Sequence, residues 1–119
     1  MKKRILFIII TLAVFTSICS CGIINKPVDK KTGFSDFLKQ TELSIRKENW
    51  SEAKKSISEA EKVWKKVKPI LQIDIDHDYI NNIEDDFVKL NAFIDTKEKG
   101  NSLATVMLIK DTWDNIGSL

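Results

Sequence analysis

The chain is short of the residues from which most catalytic and metal centres are made. Among 119 residues there is one histidine, two cysteines, four glycines and two prolines. His77 alone cannot complete a zinc site of several His and Cys ligands, and no His-Glu-x-x-His occurs. No glycine-rich phosphate loop and no Gly-x-Ser-x-Gly elbow is present. Acid–base chemistry would rest on one imidazole or on carboxylates alone. These absences lead us to expect no enzyme and no cofactor. Nor is there a basic run interleaved with aromatics, which removes nucleic acid as a partner. The scarcity of glycine and proline also removes the usual breakers. After residue 22 only Gly33, Gly100 and Gly117 remain, and after Pro27 only Pro69, so long helices are expected and strands are not.

The longest apolar stretch is near the start. Lys2, Lys3 and Arg4 precede a run from Ile5 to Phe15, followed by Ile18-Cys19-Ser20-Cys21-Gly22. A basic segment, a short apolar segment and a small-residue cleavage site make a secretory signal. The cysteine after Ser20 gives the pattern its second part, which resembles the lipobox of bacterial lipoproteins. That resemblance implies cleavage after residue 20, acylation of Cys21, and a lipid-anchored protein on the extracytoplasmic face of the cell membrane. Bulky Ile18 makes Cys19 the poorer candidate. An uncleaved anchor is the alternative, although Ile5 to Ile18 is shorter than the roughly 20 apolar residues of a bilayer-spanning helix. Without residues 1–20, 16 basic residues face 17 acidic ones, so the net charge of +2 belongs to the signal. If Cys21 is acylated and Cys19 discarded, neither a disulfide nor a cysteine nucleophile remains.

Residues 21–33 read as the lipidated cysteine and a flexible tether, and residues 34–119 as one small domain. The domain reads as an all-α antiparallel bundle of three to four helices. A first helix runs from Phe34, with Ser35 as cap, to about Lys47. Its apolar face is Phe34, Phe37, Leu38, Thr41 and Ile45. Ser51 is expected to cap a second helix, in which Ala53, Ile57, Ala60, Trp64, Val67 and Leu71 alternate at steps of four and three. Proline suits a helix start better than an interior. The second helix is therefore expected to end near Val67 and a third to begin at Pro69 or soon after, a kinked continuation to Leu71 being the alternative. The third would run to Asp95 with Ile73, His77, Ile80, Ile83, Phe87, Leu90 and Ile94 inward. A fourth would start at Asn101 or Ser102 and bury Leu103, Val106, Met107, Ile109, Trp113 and Ile116. Trp50, Trp64 and Trp113 are expected in the core.

Charge divides along the chain. Lys39 to Lys68 holds nine basic and five acidic residues, and Asp74 to Glu98 eight acidic and two basic. A basic helix beside an acidic one gains rim pairs of at most about 1 kcal/mol each. One constellation invites a site. On a single helix Asp74, His77, Asn81 and Glu84 share a face at steps of three, four and three. The expected role is a buried His77 hydrogen-bonded to its neighbours and fixing helix register. The alternative is a metal- or ligand-binding sensor centred on His77. Di-metal bundles, however, need two carboxylate–histidine motifs, and no glycine among these acids marks a calcium loop.

The stretch from Trp50 to Trp64, with Ala53 and Ala60, is locally similar to one tetratricopeptide hairpin. It occurs once, so no solenoid is expected. The N-terminal anchor, Asn49-Trp50, Trp64, Ile75-Asp76-His77-Asp78, Ile83-Glu84 and the tail from Leu108 to Ile116 resemble a small family of bacterial proteins of unknown function. These are short, membrane-anchored proteins, mainly of spore-forming Gram-positive bacteria. The resemblance implies no activity and no catalytic residues. It does imply a membrane partner, a small multi-pass protein encoded alongside. Tyr79 departs from the family pattern, which has Glu after His-Asp. The expected function is thus a lipid-anchored helical interaction module.

Overall fold

A computed structural model describes residues 27–116, and Cys21 with the segment before it lies outside them. The described residues form α1 (Pro27–Thr32), α2 (Phe34–Arg46), α3 (Trp50–Leu71), α4 (His77–Asp95) and α5 (Lys99–Ile116). Connections of three to five residues force consecutive long helices to be antiparallel neighbours. Pairs across the seams agree. On α3 and α4, Lys54 meets Asp95 and Lys68 meets Glu84. On α2 and α5, Phe34 meets Trp113 and Glu42 meets Lys110. Since α2 packs on both α3 and α5, and α4 on both as well, α2 to α5 close into an up-down-up-down four-helix bundle.

The apolar stripes become the core. Phe34, Leu38, Ile45, Ile57, Ile83, Leu90, Val106 and Ile109 are fully buried. At one end each long helix supplies one large aromatic ring. Phe34 of α2 lies 4.5 Å from Trp113 of α5, 6.0 Å from Trp64 of α3 and 6.2 Å from Phe87 of α4, the last edge-on. Trp64 stands 6.4 Å from Trp113 and 6.5 Å from Phe87. These separations and tilts suit the ring quadrupoles. The other end holds the buried small residues Ser44, Ala53, Ser56, Ser102 and Thr105. The Ser56 and Thr105 hydroxyls donate to the carbonyls of Glu52 and Asn101 one turn back.

Several boundaries differ from those the sequence predicts. Residues 27–32, expected as tether, form α1. Its Val28 packs on the core, and Asp29 Oδ1 accepts from Ser35 N at 2.9 Å and from Trp113 Nε1 at 3.3 Å. The start of α2 is thus served by Asp29 rather than by a Ser35 side chain. Gly33 links the two helices in the left-handed region, at φ 69°. Asn49, not Ser51, caps α3 through Glu52 N. Pro69 lies inside α3 instead of opening the next helix. The helix runs on because Leu71 still reaches the core, although proline leaves the carbonyl of Lys65 without its intrahelical donor. The chain then turns over residues 72–76, and α4 begins eight residues later than expected. Ile73 and His77 accordingly leave the core, as does Met107 on α5. Trp50 is half-buried against the core.

The α2–α3 and α4–α5 turns share one construction. Glu48 and Lys97 both adopt φ 57°. Asn49 N donates to Ser44 O, and Glu98 N to Phe93 O, each at 2.9 Å. This is the Schellman closure, which favours glycine at the left-handed position.

Two outcomes test this packing. Trp64→Ala should cost about 3–5 kcal/mol in urea unfolding, as large-to-small changes in cores do. Lys97→Gly should raise stability by up to about 1 kcal/mol by relieving a left-handed non-glycine residue. Unchanged stability in Trp64→Ala would remove that ring from the core.

Candidate functional site

The expected His77 face does not assemble. Asp74 lies in the turn ahead of α4. His77 is the first residue of α4, exposed, and Asn81 is exposed one turn on. The buried network expected around His77 is therefore absent, because the helix starts at His77 and not eight residues before it. Asp76 caps α4 by accepting from Asp78 N. Among the described residues no group of three or more His, Cys, Asp or Glu is placed to hold a metal ion.

Glu84 is the exception, and it belongs to a different arrangement. Its Oε1 accepts from Lys68 Nζ at 2.5 Å and from Trp64 Nε1 at 3.3 Å, both on α3. Lys68, hydrogen-bonded to it, holds the Glu84 carboxyl below its ordinary value. Partial burial opposes that shift, and the Trp64 N–H adds to it. Farther along the seam, Asn91 Nδ2 donates to Glu61 Oε1 and to Phe87 O. Farther still, Lys54 pairs with Asp95. Lys54, Glu61 and Lys68 are spaced by seven, so they share one edge of α3 beside the apolar stripe. Their partners descend along α4 as Asp95, Asn91 and Glu84. The seam is crossed by three polar rungs, and the basic-on-acidic pairing expected from the charge pattern is realised at two of them.

Between the Glu61–Asn91 and Lys68–Glu84 rungs the seam opens into a groove of about 450 Å³. Trp64 and Phe87, both buried, form its floor, so the groove lies over the edge of the aromatic layer. Lys65 and Val88 line it as well, with Val88 72% exposed. An apolar floor with a few fixed polar groups on its rim is the ordinary make-up of a binding cleft. A smaller recess of about 180 Å³ lies between α2 and α5, lined by Ser35, Asp36, Lys39, Lys110, Trp113 and Asp114. Glu42 lies farther along that seam. Lys110 and then Arg46 hold its carboxyl below the ordinary value.

Sequence reasoning reached Glu84 for a different role and missed Glu61, Lys65, Lys68, Val88 and Asn91. A signal for them exists in the seven-residue recurrence of Lys54, Glu61 and Lys68, and in Val88 directly after Phe87. The described residues include no helix long and apolar enough to cross a membrane.

The bundle and its groove define a small all-α domain with an open cleft. The chain belongs to the family described as a domain of unknown function, DUF4363, which matches residues 23–119. The match takes in α1, which supports assigning that helix to the domain. No curated protein and no solved structure matches the chain.

Of the three carboxyls held below their ordinary value, Glu42, Glu59 and Glu84, the fully exposed Glu59 beside Lys62 matters least, and the other two set a pH dependence. A lowered folded-state value contributes stability above the unfolded value of about 4.5, and that stability is lost as pH falls below it. Thermal stability should therefore decline below about pH 5. In Glu84→Gln the decline should be shallower, and the loss at pH 7 should be at most about 1 kcal/mol for so exposed a pair. Identical pH profiles for parent and variant would contradict the assignment of Glu84.

Proposed function

We propose that the protein is a non-enzymatic interaction module held by its N-terminal segment on the extracytoplasmic face of a membrane, where the α3–α4 groove receives a partner. Acylation of Cys21 supplies the attachment in this reading. The observation that carries it is the groove itself, which lies over the buried edges of Trp64 and Phe87 between two hydrogen-bonded rungs and is flanked by exposed Val88. Lys65 flanks the seam as well.

The groove's chemistry describes its occupant. Aromatic walls suit an apolar anchor side chain, and Glu61, Lys65 and Glu84 at the rim suit polar groups flanking it. A segment of a multi-pass membrane protein just outside the bilayer has that make-up, and it is the partner proposed.

Site-specific photo-crosslinking in native membranes tests the proposal. A photoreactive residue in place of Val88 should give one discrete adduct, identified by mass spectrometry as a membrane protein. The same residue in place of Asp111, on exposed α5, should give none. Adducts of equal pattern at both positions, or none at Val88, would contradict the groove as the binding element.

A further inference from the structure

We infer that the α3–α4 tip docks on the bilayer, with Ile70 and Ile73 entering the interfacial zone of the membrane to which the N-terminal segment attaches the chain. This rests on the membrane attachment proposed above. Ile70 is 62% and Ile73 80% exposed. Leu71, Ile75 and Tyr79 beside them are half-buried against the core, so the tip is anchored from within while two isoleucines face outward. Scattered exposed apolar residues are ordinary. Two large ones within four residues, Ile70 in the last turn of α3 and Ile73 in the turn that follows, are not scattered.

Where the chain enters the bundle says what covers them. Phe34 opens α2 and touches Trp64, and Asp29 of α1 holds Trp113. The chain therefore arrives at the aromatic end. The α3–α4 turn is at the same end, with Ile70 six residues, about 9 Å, beyond Trp64 along α3. From Cys21 to Pro27 is six residues, a reach of at most about 20 Å however the chain runs. If Ile18 is the last anchored residue instead, the reach is at most about 30 Å. Either attachment keeps this end of the bundle next to the bilayer and the Gly33-distant end, with Glu48 and Lys97, away from it.

Charge makes the contact shallow. Lys30, Lys31, Lys65 and Lys66 are exposed at this end and favour anionic headgroups. Asp74 and Asp78 oppose deep insertion, while Asp76 is engaged at the start of α4. Docking would stand the bundle on its aromatic end and bring the α3–α4 groove, only two turns from the tip, within reach of a membrane-embedded partner.

The test uses the full chain reconstituted in phosphatidylethanolamine–phosphatidylglycerol vesicles, with an environment-sensitive fluorescent amino acid in place of Ile73 or, as the distal control, of Lys97. We expect the chain to float with the vesicles. Emission from position 73 should be blue-shifted and quenched by more than about half by lipids carrying a shallow nitroxide, as for other interfacial apolar groups. Position 97 should stay water-like and unquenched. Flotation with an unquenched, water-like position 73 overturns docking and leaves the attachment standing. A blue-shifted position 73 that the lipid nitroxide does not quench means that protein covers the tip, and also overturns it. Failure to float overturns the attachment and docking together.

Discussion

The contact on which the rest of the structure depends is the aromatic layer of Phe34, Trp64, Phe87 and Trp113. Each long helix gives one ring, so no helix can leave the bundle without opening the layer. The rings also fix helix rotation. With Trp64 inward, Lys54, Glu61 and Lys68 fall on the edge of α3 that faces α4. With Phe87 inward, Glu84, Asn91 and Asp95 fall opposite them. Even α1 depends on the layer, because Asp29 reaches the indole N–H of Trp113. The rings gather at this end, whereas small Ser44, Ala53 and Ser102 are buried at the other. The groove lies beside the rings, flanked by Lys65 and Val88.

Most of the architecture was legible because buried positions repeat at helical spacing and few breakers interrupt them. Ala53, Ile57, Ala60, Trp64 and Val67 need no tertiary information to be read as one face. What misled the reading was local chemistry overruled by packing. Pro69 opens a helix in isolation, but burial of Leu71 keeps α3 going through it. That shift placed Asp74 in a turn and His77 in solvent, and the candidate site dissolved with it. Caps were misread for a related reason. Ser35 and Ser51 are suitable residues, yet Asp29 on α1 and Asn49 in the α2–α3 turn accept from the backbone N–H groups instead. The groove was illegible as a site because its residues are ordinary surface types. Only their recurrence every seven residues, next to a core stripe, distinguishes them.

The helix α1 connects these features to function. Residues 27–32 of the segment that composition reads as loose linker are folded and tied to the aromatic end. The exposed isoleucines of the α3–α4 tip and the groove lie within about two helical turns of one another. In the proposed reading, with the chain attached to a membrane ahead of α1, the folded α1 would restrict how the domain faces the bilayer, as a cleft for a membrane-embedded partner would need.

The central claim is that four helices meet through four rings, and a nuclear Overhauser spectrum of the domain in solution tests it most directly. The account predicts cross-peaks from the Phe34 ring protons to the indole protons of Trp113 and Trp64, residues 79 and 30 positions away in the chain. It also predicts an indole N–H resonance of Trp113 protected from solvent exchange. A spectrum in which Phe34 shows contacts only within α2, with both indole N–H groups exchanging freely, would contradict it.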